Sequence, residues 1–344
     1  MSFKVTVQSS HHEFTAEAGQ TVLDAALAAG IVLPYSCRDG ACSTCKGKVV
    51  SGTYDAGRSP AQILSPEDLA AGYTLFCQAR PSSDLVIEAR EIRMASDIQI
   101  RKMPSRVMGL ERHGADVMIV QLQLPAADPF RYYPGQYIEF ILKDGRRRSY
   151  SMATPPSENN LVELHIRHLP GGVFTDHVFG AGDSQIKVRE ILRVEGPFGS
   201  FFLREDSAKP LVFLASGTGF APIKAIIERM MARQDNRKAV LYWGGRRPGD
   251  LYLHDTVLQW ADTLPALSYV PVVSDAQPED QWTGRSGFVH QAVLHDLPDL
   301  SGHQVYACGA PIMVESARKD FTQLAGLPAE EFFADAFISE ADTV

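Results

Sequence analysis

Residues 3–8 and 13–15 alternate apolar and polar side chains with the period of a half-buried hairpin, and residues 21–29 change to the spacing of an amphipathic helix. Short strands at 47–51 and 84–89 complete a first unit over residues 1–92. Residues 93–104 are polar and irregular and read as a linker. From 105 to 205 the pattern is all-β. Strand candidates at 117–123, 136–142, 147–153, 161–168 and 185–195 are separated by Gly, Pro and Asp, as in a small antiparallel barrel. From 206 to 344 strands and helices alternate. A buried strand at 210–215, a helix at 221–232 and strands at 239–243, 268–273 and 304–307, with helical stretches between, argue for a doubly wound parallel sheet. The chain therefore reads as multidomain, α+β followed by α/β, without internal repeats.

Composition narrows the setting. The 344 residues are 45% hydrophobic and 22% charged with a net charge of −8, the profile of a globular protein. No basic run or aromatic-basic interleaving is present, so nucleic acid is not an expected partner. No stretch has the apolar length of a membrane span, and residues 22–33, though apolar, carry Asp24. The N-terminus lacks the basic start and apolar core of a signal peptide, and a cytoplasmic location is expected. There, cysteines in motif spacing are more often metal ligands than disulfides.

Cys37, Cys42 and Cys45 lie in the run Y-S-C-R-D-G-A-C-S-T-C, and Cys77 follows in L-F-C-Q. This C-x4-C-x2-C…C order is the plant-type [2Fe–2S] ligand spacing. A structural zinc site usually takes two close pairs of ligands. Here three ligands crowd one loop and the fourth is remote, which favours the cluster. Gly40, Ala41, Ser43 and Thr44 are small enough for backbone N–H groups to approach sulfur.

A flavin needs a cation on its phosphates, an aromatic against its ring and a hydrogen bond near N5. Arg148-Ser149-Tyr150-Ser151 offers these on a strand that puts Arg148 and Tyr150 on one face and Ser151 at the end. R-x-Y-S alone is a weak signal. His165-Ile166-Arg167-His168, the Gly-rich turn Pro170-Gly171-Gly172-Val173-Phe174-Thr175 opening a helix, and Gly196-Pro197-Phe198-Gly199 strengthen it. His168 reads as a solvated strand histidine. After the strand at 210–215 comes Ser216-Gly217-Thr218-Gly219-Phe220-Ala221-Pro222, a glycine turn at a helix start, where a pyrophosphate can approach backbone N–H groups. Tyr306-Ala307-Cys308-Gly309-Ala310-Pro311 ends a later strand, and Cys308 is either a nicotinamide-side residue or a small buried apolar one.

In this order the motifs resemble the ferredoxin-NADP reductase superfamily, and the first unit resembles a plant-type β-grasp ferredoxin. The resemblance implies a β-grasp ferredoxin domain, an antiparallel β-barrel flavin domain and a parallel-sheet nicotinamide domain. It places Arg148 on the FAD phosphates, Ser149, Tyr150 and Ser151 along the flavin with Ser151 beside N5, and His165, Ile166 and Arg167 behind the ring. Gly172, Val173, Phe174 and Thr175 would hold the pyrophosphate. Gly217, Thr218, Gly219, Cys308 and Gly309 would take the nicotinamide nucleotide, with Ser151 and Cys308 aligning it. Phe337, in the terminal F-F-A-D-A-F, would lie over the flavin, a plain core strand being the other reading. Arg246 and Arg247 follow the strand at 240–243, where an arginine can reach a 2′-phosphate, yet the W-G-x-R run is similar to that of NADH-specific relatives, and NADH is the expected donor.

The resemblance covers almost the whole chain and implies electron transfer from NADH through FAD and a [2Fe–2S] cluster to a partner protein. It is nearest to the CDP-6-deoxy-Δ3,4-glucoseen reductases of dideoxyhexose synthesis, through residues 195–206, 282–294 and 332–337, and extends to the reductases of bacterial oxygenases. The acceptor is therefore either a pyridoxamine-phosphate-dependent sugar dehydrase or a Rieske or diiron oxygenase component, met by a chain that is a monomer on its own. A non-enzymatic redox sensor is the remote alternative, against which the intact flavin and nicotinamide motifs speak.

Overall fold

The computed structural model of the chain describes residues 1–337 except Ala41, Ser59, Pro60, Gln62, 90–92, 95–97, Asp128 and Asp183, with backbone only for Arg93 and Met94. Ala41 of the cysteine loop and part of the expected linker thus lie outside the described residues. The chain divides into two compact units, Met1–Gln99 with Gly199–Phe201 and Ala334–Val344, and Ile100–Phe198 with Phe202–Phe333.

The first unit is a β-grasp. Its sheet runs Glu13–Glu17, Ser2–Val7, Leu85–Glu88, Lys46–Ser51, Tyr73–Leu75, with only the pairing of Ser2–Val7 to Leu85–Glu88 parallel. Alternation places Val5, Val7, Leu85 and Ile87 inside. The helix Val22–Ala28 covers that face with Val22, Leu23, Ala25 and Ala26. Thr21 caps it, accepting the Asp24 N–H and donating to the Asp24 carboxylate.

The second unit holds a barrel and a parallel sheet. Six antiparallel strands run in the order Arg147–Ser151, Tyr137–Ile141, Ile191–Phe198, Arg101–His113, Val117–Gln123, Leu161–Arg167. The two ends meet: Met152 bridges Leu164, and the Ala153 N–H donates to the Glu163 carbonyl at 2.8 Å, closing the barrel. Val107, Val120, Leu122, Ile138, Phe140, Val162 and Leu164 fill it.

Two expectations need correction here. Residues 101–104, read as linker, begin the long strand Arg101–His113. Only Ser105 and Val107 are buried in it, and Pro104 interrupts the run, so its apolar face is thin in sequence. The strand expected at 185–195 runs instead over Ile191–Phe198. A turn from Lys187 to Glu190, with Arg189 in the left-handed region (φ 75°), precedes it.

The parallel sheet runs Arg285–Ser286, Leu267–Val273, Ala239–Gly245, Leu211–Ser216, Gln304–Gly309, with Phe332–Ala336 beyond. The chain leaves Leu211–Ser216 toward one neighbour and returns much later on the other side. The carboxyl ends of Leu211–Ser216 and Gln304–Gly309 are therefore a topological switch point, where open α/β sheets bind ligands.

Candidate functional site

The four motif cysteines come together in the first unit. Cys42, Cys45 and Cys77 are buried, Cys37 is half-buried, and all are free thiols. Cys45 Sγ lies 3.2 Å from Cys77 Sγ, and the Cys37 N–H donates to Cys42 Sγ at 3.5 Å. The Cys37 thiol, hydrogen-bonded to Cys42, pulls the Cys42 pKa down to about 6, and the Cys45 thiol lowers Cys77 in the same way. Thr44 Oγ1 stands 3.5 Å from Cys42 Sγ and Gln78 Nε2 donates toward Cys77 Sγ at 3.7 Å. Side-chain contacts pair Cys37 with Cys42 and Cys45 with Cys77. Two pairs of thiolates suit the two irons of a [2Fe–2S] cluster. Gly40 is required as glycine: its φ is +78°, and a Cβ would sit 2.9 Å from Gln78 Cγ and 3.1 Å from the Arg58 carbonyl.

The loop is braced by residues far along the chain that belong to the same unit. Tyr35 exchanges hydrogen bonds with Ser200 (2.9 and 3.1 Å), Ser36 bonds Asp335, and Thr44 Oγ1 donates to the Ala334 carbonyl at 3.3 Å. Residues 195–206 and 332–337, which carry much of the finer family resemblance, thus include supports for the cysteine loop. Phe337 lies one residue past the last strand and is half-buried.

On the barrel, Arg148 and Tyr150 are half-buried on one face of their strand and Ser151 is buried at its end. The Tyr150 ring packs on Phe140 and Phe174, and burial pushes its phenol pKa up. Ser149 is exposed on the opposite face, next to Arg147, which is held by Glu139 at 2.6 Å. The helix Val173–Phe179 starts at Gly172 with no side-chain cap, so its first-turn N–H groups face outward. Thr175 spends its hydroxyl on the Leu169 carbonyl at 2.8 Å, and Phe174 is core. Backbone, rather than these side chains, is what residues 172–175 offer a pyrophosphate.

Ile166 is buried in the barrel core and His165 has a fully buried side chain. His165 Nδ1 is 2.7 Å from the Tyr252 hydroxyl and Nε2 is 3.0 Å from Glu163. Burial lowers its pKa, so the imidazole is neutral. A carboxylate only accepts, so Nε2 carries the proton and Nδ1 accepts from Tyr252. His168, expected to be merely solvated, bonds Asp176 at 2.9 Å and stacks on Phe179.

The nucleotide turns pack on each other at the switch point. Ala215 pairs with Cys308, and a Cβ on Gly219 would lie 2.1 Å from the Cys308 carbonyl oxygen. Gly309 has φ +138°, and its Cβ would lie 2.2 Å from Ser216 Oγ, which accepts the Ala310 N–H at 2.9 Å. Gly217 has φ +52° with Arg167 alongside, and Thr218 between the two glycines is half-buried. Two buried Arg167 nitrogens, Nε and Nη2, have no hydrogen-bond partner, although Asp116 and Asp250 carboxylates stand 3.3 and 3.7 Å off. A glycine cradle beside an under-satisfied guanidinium fits a phosphate-bearing nucleotide. Cys308 is wholly buried behind it.

Three residues here left no motif: Glu163, Lys224 and Tyr252. Lys224 contacts Glu163 at 3.1 Å and Glu228 at 2.8 Å. Burial opposes ionisation of Glu163, but the His165 hydrogen bond and the Lys224 ammonium outweigh it and hold its pKa at about 2. Because the folded value lies below the ordinary 4.5, the unfolded chain takes the proton first. The stability this carboxylate contributes is complete above about pH 4.5 and is lost as pH falls toward 2. Urea titrations of wild type and Glu163→Gln across that window should show a steeper acid loss in wild type. Equal slopes would contradict the assignment.

A barrel with a cation–aromatic–hydroxyl strand, facing a glycine cradle at the switch point of a parallel sheet, with a separate loop of paired thiols, defines a flavin and iron–sulfur oxidoreductase using a nicotinamide nucleotide. Residues 5–82 match the 2Fe-2S iron-sulfur cluster binding domain, 105–203 the oxidoreductase FAD-binding domain and 213–319 the oxidoreductase NAD-binding domain. The chain is 42% identical to the CDP-6-deoxy-L-threo-D-glycero-4-hexulose-3-dehydrase reductase of Yersinia pestis over 338 residues, covering 98% of this chain and 99% of that one. It is 36% identical to reductase component 2 of the terephthalate 1,2-dioxygenase of Comamonas sp., covering 98% of both. The solved Amycolatopsis cytochrome P450 reductase GcoB superposes with a TM-score of 0.76 at 34% identity, covering 97% of this chain and 98% of that one. The chain belongs to the ferredoxin-NADP reductase superfamily, in the branch of single-chain reductases with an N-terminal plant-type ferredoxin domain. It is an NAD(H)-dependent oxidoreductase that uses FAD and a [2Fe–2S] cluster and passes electrons to a partner. Among the described residues no helix is long and apolar enough to cross a membrane.

Proposed function

We propose that this chain is the NADH-dependent reductase of a pyridoxamine-phosphate-dependent sugar dehydrase. The observation that carries the choice is the 42% identity to a hexulose-3-dehydrase reductase along nearly the full length, against 36% for the terephthalate dioxygenase component. The flavin, when bound, takes hydride as an electron pair, and the cluster accepts electrons singly.

The residues divide the labour. Cys37, Cys42, Cys45 and Cys77 would hold the cluster. Arg148 would neutralise flavin phosphate charge, Tyr150 would face the ring and Ser151 would supply a hydrogen bond near N5. The uncapped helix start at Gly172 turns its N–H groups to the pyrophosphate. The Gly217–Gly219 turn and Cys308-Gly309 seat the nicotinamide nucleotide, and Ser151 and Cys308 align it for transfer, a proximity effect that asks for no strong general base. A first domain over 1–92, a flavin domain that begins at Arg101 and runs to 205, and a nicotinamide domain over 206–344 accompany this reading, as do a cytoplasmic setting, where thiols stay reduced for metal, and a monomer until the acceptor docks.

Arg247 supports NADH over NADPH. Asp280 holds its guanidinium at 2.7 and 2.9 Å and Glu279 at 3.2 Å, leaving little charge for a 2′-phosphate, whereas Arg246 is 75% exposed. Asp280→Asn combined with Glu279→Gln frees Arg247. We expect kcat/KM for NADPH to rise by about tenfold, the value of one charge-assisted contact, with NADH little changed. Steady-state kinetics with both nucleotides checks this, and an unchanged NADPH rate would remove Arg247 from the account.

The acceptor is tested by offering the NADH-reduced protein, under argon, a substrate-loaded sugar dehydrase or a Rieske oxygenase in separate mixings. Fast cluster reoxidation by the dehydrase alone supports the proposal. Fast reoxidation by the oxygenase alone assigns the chain to a hydroxylating system instead.

A further inference from the structure

The barrel and the nucleotide sheet of the second unit are joined by a buried polar seam that none of the cofactor motifs accounts for. Lys224 sits in the helix Phe220–Arg233, which starts at the end of the Gly217–Gly219 turn. Its side chain is 9% exposed. Its ammonium has three donors, and each finds an acceptor: the Ala153 carbonyl at 3.1 Å, Glu163 at 3.1 Å and Glu228 at 2.8 Å. Ala153 and Glu163 are the residues whose backbone bond closes the barrel. Ala153 lies two residues beyond Ser151, and Glu163 two before His165. One cation thus grips both strands that carry the flavin motif, at the point where they meet.

A second contact lies beside the first. The Tyr252 hydroxyl reaches His165 Nδ1 at 2.7 Å, and its ring stands edge-on to Trp243 at 5.2 Å between centroids. Trp243 in turn donates its indole N–H to the Gly217 carbonyl at 3.0 Å and stacks on Phe220 at 4.0 Å. The flavin strand is therefore tied to the nucleotide turn through His165, Tyr252 and Trp243, and to the helix behind that turn through Lys224.

We propose that Lys224 and Tyr252 are positioning residues that set the register of the nicotinamide turn against the flavin strand, and with it the distance over which hydride moves. Neither is assigned a contact with a cofactor. The proposal rests on the reading of residues 148–151 and 217–219 as the flavin and nicotinamide sites. Two buried, fully paired contacts from separate elements leave the two layers little freedom to slide. A displacement of about 1 Å at a transfer site costs about 100-fold in rate.

The test uses the holoprotein with Lys224→Met, Lys224→Arg and Tyr252→Phe. FAD and iron content are measured first, and then flavin reduction by NADH is followed by anaerobic stopped-flow. The long-wavelength charge-transfer absorbance of reduced flavin with NAD⁺ reports the ring-to-ring approach without turnover. Lys224→Met should retain both cofactors, lose most of the charge-transfer band and slow flavin reduction by about 10- to 100-fold, with KM for NADH changed much less. Lys224→Arg, which keeps the charge and the donors, should recover most of both signals. Tyr252→Phe should show the same pattern more weakly. Cofactor-replete Lys224→Met and Tyr252→Phe with a wild-type band and rate overturn the proposal. So does a Lys224→Met that merely fails to hold FAD while Tyr252→Phe behaves as wild type. A wild-type protein that NADH does not reduce overturns the site reading itself, which keeps the two failures apart.

Discussion

Cys45→Ser will abolish reduction of one-electron protein acceptors while leaving NADH-driven ferricyanide reduction in place. Cys45 is 4% exposed and its sulfur lies 3.2 Å from that of Cys77, so the change removes one thiolate from a buried pair and strands the other. A serine hydroxyl is a far weaker iron ligand than thiolate, and no other described His, Cys, Asp or Glu grouping stands ready to replace it. The flavin and nicotinamide residues belong to the second unit and have a core of their own. Ferricyanide can be served by the flavin alone, whereas cytochrome c reduction should fall to background. Parallel assays with the two acceptors on cofactor-quantified protein decide the matter. Loss of both activities in a folded variant that retains FAD would mean that hydride transfer also depends on the cysteine loop.

The second large effect is expected at Gly219. An alanine Cβ there would sit 2.1 Å from the Cys308 carbonyl oxygen, 2.5 Å from its carbon and 2.7 Å from Gly309 Cα. These are backbone atoms at the carboxyl end of the strand Gln304–Gly309, so no side chain can swing aside. The two turns must separate, at a cost of about 1–3 kcal/mol for overpacking. They also move the seat of the nicotinamide, and Gly219→Ala should lower the rate of flavin reduction by NADH about 100-fold with FAD retained. Gly249→Ala is the control, since its Cβ meets nothing within 4 Å. Stopped-flow flavin reduction reads the difference, and equal rates for the two variants would show that the glycine cradle is not where the nucleotide binds.

The parts of this site that were legible in the sequence are those whose chemistry dictates residue type regardless of neighbours. Thiolates at fixed spacing, glycines where two backbones touch and a cation–aromatic–hydroxyl strand announce themselves one-dimensionally. Gly219 and Gly309 are instructive. Each is required by backbone from the other's side of the switch point, yet each already stands out as a glycine in a strand-to-helix turn. The polar seam did not stand out. His165 and Tyr252 are 87 residues apart, and Lys224 and Ala153 are 71 apart. A lone Lys in an otherwise apolar helix face, or a Glu in an alternating strand, has the same local pattern whether it is buried in a pair or solvated. Lys224 does carry one signal in hindsight: it lies in the run F-A-P-I-K-A-I-I, where every neighbour is buried. The strand Arg101–His113 was hidden for the converse reason, since only Ser105 and Val107 are buried and Pro104 interrupts it. His165 shows how a motif residue's side chain can turn away from the role its motif implies. Its strand borders the flavin motif, but both ring nitrogens are engaged away from any open surface.

One chain collects electrons in pairs from NADH and holds them for single release. An anaerobic titration with NADH, followed by visible absorbance and low-temperature electron paramagnetic resonance, addresses it directly. Uptake of about 1.5 NADH per chain is expected, two electrons for FAD and one for the cluster, with a [2Fe–2S] signal that is absent from Cys45→Ser. Flavin bleaching that ends at about one NADH with no such signal in the iron-replete wild type would contradict it, because the cysteine loop would then lie off the electron path.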